Sequence, residues 1–224
     1  MEYTLIRSKR KTLTVYIRPD ATVEVRAPLH LSSRNIEQFL SEKEDWINKK
    51  VALVRETNAS KNSFHLDFGD KLLFLGKEYP LFPKDGDRIG FDQIAFYAPI
   101  SIDEETLRQN LIRLYKSLAK KYLNAKAKVW ALKMNVSFNS IRITSAATRW
   151  GSCSSKKTIN FSWRLIMAEE PVIDYVIIHE LAHLTELNHS ERFWNIVGTY
   201  CPDYKACKRK LRELQAKIRT EVWD

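Results

Sequence analysis

The stretch DYVIIHELAHLTELNHSERFW, residues 174–194, decides how this chain is read. It holds three of the five histidines, His179, His183 and His189, with Glu180 directly after the first. His179 and His183 are four residues apart, so on a helix they share one face a turn apart. Two imidazoles so placed can grip a single metal ion. Glu180 stands beside them, where a carboxylate can polarise metal-bound water without being a ligand. This is the HExxH pattern of zinc hydrolases. The competing reading is a buried helix whose imidazoles only satisfy hydrogen bonds. Against it, Val172, Ile173, Val176, Ile177, Ile178, Leu181 and Leu184 make the segment strongly apolar. Partnerless histidines there are costly.

Catalytic zinc takes three protein ligands and keeps one position open. His189, six residues past His183, is the candidate for the third. A helix cannot bring it to the same face, so the chain must turn. Asn188 suits a left-handed helix end, and Ser190 can cap the next helix. Glu186, Glu191 and the more distant Glu213 are rival ligands. Glu186 also occupies the position where a metzincin has its glycine, which argues against that class.

Working outward, residues 3–28 alternate apolar and polar, with a turn signal at Arg18-Pro19-Asp20. A β-hairpin is expected. One helix is expected over 34–55, opened by Ser32-Ser33, with ETNASKNS (56–63) as a loop. Short apolar runs between 64 and 100, broken by Gly, Pro and Asp, predict more strands. The character changes at Asp103. Residues 104–133 predict a long basic amphipathic helix with Leu107, Leu111, Leu114, Tyr115, Leu118, Tyr122 and Trp130 on one face. Strands over 136–148 and 158–163 follow, joined by GSCSSKK as a turn. Pro171, Ser190 and Pro202 open three further helices. The expected division is a β-rich region with one helix, 1–102, and a metallohydrolase domain, 103–224.

The chain has 224 residues, enough for one large domain or two small ones. No apolar run approaches the roughly 20 residues that span a bilayer, so no membrane partner is expected. The N-terminus lacks the apolar core of a secretory signal. Cys153, Cys201 and Cys207 are odd in number and too few for a disulfide framework. They read as packed or surface thiols in a cytoplasmic protein. Net charge is +10, and its distribution is uneven. Residues 106–168 contain no Asp or Glu but thirteen Lys or Arg, whereas the remainder holds more acids than bases. This basic region suggests an anionic partner, nucleic acid among them, or a solvated face. His30 and His65 lie far from the motif and read as surface residues.

Five separated segments resemble the YgjP-like metallopeptidase family, which is related to SprT-like and minigluzincin zinc proteins. They are TRWGSC (148–153), INFSWRL (159–165), DYVIIHELAHL (174–184), NHSERFW (188–194) and CPDY (201–204). The N-terminal IRSKRKTLTVYIRPDATVEVRAP (6–28) is similar to that family's opening strands. The resemblance implies an α+β fold with a zincin-like core: long helices, a small sheet whose edge strand faces the cleft, and the HExxH helix. It implies His179, His183 and His189 as ligands of one Zn2+ and Glu180 as general base. The TRWGSC strand would then line the cleft, with Arg149, Trp150, Gly151 and Ser152 as substrate-binding residues. Arg149 can bind an anionic group or stabilise developing charge. The alternative is structural, with Trp150 in the core and Arg149 paired to a carboxylate. Phe193 and Trp194 are expected to pin the corner helix to the core. The expected function is peptide-bond hydrolysis on a peptide or protein substrate. The alternatives are a nucleoside triphosphate or phosphoanhydride hydrolase at the same site, and a non-catalytic basic zinc-binding protein.

Overall fold

Alternating residues give way to helical periodicity along the chain, and the computed structural model follows that order. It describes residues 2–62, 65–219 and 223, with side chains described except at 60–62. Ser63, the end of the expected loop, lies outside the described residues. The described residues form two units: 2–62 with Ile218 and Arg219, and 65–217 with Trp223.

In the first unit, β2 (Thr14–Ile17) and β3 (Val23–Pro28) form the expected antiparallel hairpin. Ala21 closes its turn at φ 65°, donating to Arg18 O at 2.9 Å. Strand β1 (Thr4–Ser8) adds parallel to β3, giving the order β1-β3-β2. Two helices follow, where one was expected: α1 (Ser33–Glu42) and α2 (Glu44–Asn62), parted at Lys43. Ser32 caps α1, its hydroxyl accepting from Asn35 N. The stretch read as a loop is the C-terminal part of α2. Glu, Ala and Lys residues extend a helix readily, and Thr57 folds its hydroxyl back to Leu53 O at 2.7 Å. Val23, Val25, Ala27, Ile36, Leu40 and Ile47 form the core. Glu24, on the opposite face of β3, is buried and accepts from Arg18 Nε at 2.8 Å and Arg26 Nε at 2.7 Å.

The second unit opens with β4 (Lys71–Phe74), β5 (Lys77–Lys84), β6 (Gly90–Phe91) and β7 (Phe96–Pro99), in the order β4-β5-β7-β6. These strands group with the helices after Asp103, although composition changes at that residue. The cause is an aromatic seam. Phe96 lies 5.5 Å from Tyr115, which stacks on Trp163 at 5.4 Å, and Tyr115 Oη donates to Leu73 O at 2.8 Å.

Helix α3 (Glu104–Lys133) starts at an Asp103 cap and ends in a Schellman turn. There Asn135 takes φ 52° and Val136 N donates to Ala131 O. Its buried seam is Leu107, Leu111, Tyr115, Ala119, Leu123, Ala127 and Ala131. Leu114, Leu118, Tyr122 and Trp130, also expected on that face, flank the seam half-buried. Ala119, Ala127 and Ala131 complete that seam, and a search for large apolar residues overlooks them.

A second sheet of β8 (Ser140–Thr144), β9 (Gly151–Cys153) and β10 (Thr158–Ser162) has the order β8-β10-β9. Thus the expected strand over 136–148 is shorter. Gly151–Cys153 of the GSCSSKK stretch is itself a strand, antiparallel to β10. The turn is only 154–157, with Lys157 at φ 54° donating to Ser154 O. A 3₁₀ turn (Trp163–Met167) leads into α4 (Glu170–Ala182), α5 (Glu191–Tyr200) and α6 (Tyr204–Ile218). The α+β class is as expected, with a long helix, small sheets and the motif helix.

Candidate metal centre

Helix α4 carries the first half of the site and is buried on nearly all sides, with nine of its thirteen residues in the core. A helix apolar all round belongs inside a protein, so its polar side chains are held rigidly. Asp174, half-buried, accepts from Trp130 Nε1 at 2.8 Å and Lys126 Nζ at 3.3 Å, tying α4 to α3. Pro171 sits in the first turn, where its missing N–H costs nothing.

The helix stops at Ala182, with His183 as its C-cap. Tight turns follow: Leu184 N donates to Leu181 O, and both Thr185 N and Glu186 N donate to Ala182 O. Asn188 does not take the left-handed conformation expected of it. Its side chain shapes the corner instead, Oδ1 accepting from Ser190 N at 3.0 Å. Ser190 then caps α5, its hydroxyl accepting from Phe193 N at 3.3 Å.

This corner brings His189 back over α4. His179, His183 and His189 each offer a ring nitrogen, and the three lie within 4.8 Å of one another. Nε2 of His189 is 3.1 Å from Nε2 of His179. Two tetrahedral nitrogen ligands of zinc, with bonds of about 2.0–2.1 Å, stand about 3.3 Å apart. His183 is oriented by Glu186 O, 3.1 Å from its Nδ1, which leaves Nε2 to act as donor. Glu186 therefore serves through its backbone, while its carboxylate faces Arg192 at 3.9 Å. Glu186, Glu191 and Glu213 are not part of the donor group, and Glu213 faces Arg209 on α6. The donor set fits one divalent cation.

Electrostatics point the same way. Burial, reinforced by His183, His189 and Lys208, pushes the His179 imidazole down to about 3. Burial lowers His183 as well, against the opposing pull of Glu186 O. Both rings stay neutral with a lone pair available. His179 Nδ1 is buried without a hydrogen-bond partner. Burial pushes the Glu180 carboxyl up to about 8, with Arg149 pulling it back. Glu180 is buried, and its carboxylate makes no hydrogen bond among the described residues.

Strand β9 lies directly on Glu180. A methyl group at Gly151 would meet Glu180 Oε1 at 2.6 Å, so only glycine allows this approach. β9 is the outer strand of its sheet, with one edge unpaired among the described residues. Ser152 Oγ accepts from Asn160 Nδ2 at 3.1 Å, which commits its side chain to the sheet. Trp150 is half-exposed, and Arg149 is exposed with no ion pair among the described residues. Neither takes the structural role considered for it. Cys153 points its thiol at Ser154 O, 3.7 Å away, and burial raises its pKa.

Phe193 is fully buried with its ring 4.9, 4.5 and 4.7 Å from the rings of His179, His183 and His189. Trp194 stacks on His189 at 5.8 Å and on Tyr204 at 5.1 Å. Lys208 Nζ stands 5.4 Å from the Trp194 ring. Lys208 has no role in the sequence reading, although it lies on one helix four residues from Tyr204 of the CPDY segment, the spacing of a shared face. The acid-free stretch is not one uncommitted patch. Arg108 pairs with Glu105, Lys126 with Glu170 and Asp174, and Arg164 is buried with Nη1 on Ser145 O. His30 and His65 are exposed and are not part of the donor group.

A cluster of three imidazoles with a buried carboxylate beside it defines a candidate metallohydrolase centre. The sequence model of the YgjP-like metallopeptidase domain matches residues 11–214, and the chain belongs to that family. No curated protein matches it. Among solved structures, the metallopeptidase zymogen of Pyrococcus abyssi abylysin is similar at 23% identity and a TM-score of 0.38, over 43% of this chain and 95% of that one. The zymogen of Methanocaldococcus jannaschii jannalysin is similar at 25% identity and a TM-score of 0.34, over 43% and 92%. No helix among the described residues is long and apolar enough to cross a membrane.

Proposed function

We propose that this chain is a zinc-dependent peptidase that hydrolyses peptide bonds with water, using Glu180 as general base. The observation carrying the proposal is the convergence of His179, His183 and His189 nitrogens within 4.8 Å beside a buried Glu180. These three histidines are assigned to hold one Zn2+. Bound there, zinc supplies Lewis acidity that polarises water and a carbonyl.

The protein's own groups do the rest. Glu180 accepts a proton from the attacking water and delivers it to the leaving amine. The free edge of β9 receives an extended substrate by backbone pairing, in the manner of an added strand. Gly151 lets that strand lie against Glu180. Trp150 and Arg149 flank the substrate, and Ser152 contributes its backbone. All residues with assigned roles fall within 103–224, which is the functional division proposed here. The cytoplasm suits a protein whose three thiols are unpaired.

The test is mass spectrometry of unfolded proteins and of nucleoside triphosphates incubated with zinc-loaded wild type and with Glu180→Gln. Peptide fragments made only by wild type are expected. Nucleotide hydrolysis made only by wild type would replace the peptide with a phosphoanhydride substrate.

A further inference from the structure

Two cations border the histidine cluster without a carboxylate partner. Arg149 immediately precedes the Trp150-Gly151 step that lies on Glu180. Lys208 stands over the Trp194 ring, which in turn stacks on His189. Neither forms an ion pair among the described residues, although the same unit pairs many others, Lys210 with Glu169 and Lys217 with Glu78 among them. The carboxylates closest to the cluster in sequence are otherwise engaged, Glu180 by its place against β9 and Glu186 by Arg192. Glu191 and Asp203 are exposed on neighbouring segments, so net charge does not make the case. The case is made by placement, with one cation on the β9 side and one on the α6 side.

Taking the peptidase reading as its basis, we infer that the site selects acidic peptides, with Asp or Glu side chains flanking the scissile bond. Arg149 receives the carboxylate on the side that runs along β9. Lys208 receives the one that passes the Trp194 wall. Arg149 offers a planar fork suited to a carboxylate, whereas Lys208 acts as a point charge held over an aromatic face. Both are exposed, so the preference weakens as salt screens it over a Debye length of about 10 Å at 0.1 M.

The experiment measures fluorescence anisotropy of labelled peptides with zinc-loaded Glu180→Gln protein, which keeps recognition separate from turnover. Peptides are identical except for Asp and Glu in one and Asn and Gln in the other. At low salt the acidic peptide is expected to bind about five- to tenfold tighter, the sum of two exposed ion pairs. The advantage should shrink with added salt. Lys208→Glu should reverse the preference on its side, and Arg149→Gln should reduce it on the other. Circular dichroism checks that both exposed substitutions leave the fold intact. Equal affinity for the two peptides, or a preference unmoved by Lys208→Glu, overturns the inference. Cleavage of either peptide by wild type is scored separately. Acidic preference without cleavage leaves the recognition standing and removes the peptidase reading.

Discussion

Gly151 and Glu180 touch with no room between them: a methyl group on Gly151 would lie 2.6 Å from Oε1 and 2.7 Å from Cγ of Glu180. The edge strand and the carboxylate therefore fix each other's position. Gly151→Ala must push Glu180 off its place within a packed core. The expected result is a fall in kcat of roughly a hundredfold, the scale of a displacement near 1 Å at a reacting group. Metal content should stay unchanged, since the histidines are not displaced. A Gly151→Ala protein with wild-type kcat would show that the contact does not position the base.

His189 reaches the site from a corner built by its neighbours, so its loss should cost metal but not fold. Ser190 still caps α5, and Phe193 still fills the core. His189→Ala is expected to weaken zinc binding more than about a hundredfold while keeping the wild-type circular dichroism. Removing zinc from wild type with a chelator should lower the melting temperature. Zinc present at a thousandfold over its Kd adds about 4 kcal/mol of stability. Metal titration followed by thermal melting measures both effects.

Phe193 links the cluster to the core. Its ring faces all three histidine rings at under 5 Å. Phe193→Ala is expected to destabilise the protein by about 3–5 kcal/mol through the cavity it leaves. Phe193→Leu should cost about 1 kcal/mol and loosen zinc binding more than it loosens the fold. Denaturant titration and zinc affinity, measured on both variants, separate the two roles.

Acid should weaken the first unit through Glu24. Arg18 and then Arg26 hold its carboxyl below the ordinary 4.5 by donating hydrogen bonds to the charged form. A lowered folded-state pKa means the stabilisation is complete above 4.5 and fades as pH falls through the folded value. Glu24→Gln should therefore be less stable than wild type at pH 7. The gap should close at pH values below the folded-state pKa. A gap that persists there would assign the difference to packing.

The candidate site is legible in the sequence because its pattern is written locally. His179, Glu180 and His183 are fixed by helix spacing alone, and Ser190 announces the cap that returns His189 to α4. The corner itself was less legible. Asn188 had two ways of turning the chain, and its side-chain hydrogen bond to Ser190 N won over the left-handed backbone. The extent of α2 is not legible because a polar stretch reads as a loop, although Thr57 satisfies its hydroxyl within the helix. β9 reads as part of a turn because three residues carry no visible alternation. Its pairing with β10 depends on a partner that sequence spacing does not identify. The approach of Gly151 to Glu180 joins residues far apart in the chain, so no local pattern could disclose it. Trp194, Tyr204 and Lys208 likewise meet only when α5 and α6 fold around the cluster.

The most direct test of the central claim compares wild type and Glu180→Gln at equal zinc content on unfolded protein substrates. The account predicts one zinc per chain in both proteins. It also predicts peptide fragments from wild type, with kcat lower by about 10²–10⁴-fold in the variant, as for loss of a general base. Equal fragmentation by the two proteins, at equal metal content, would contradict it.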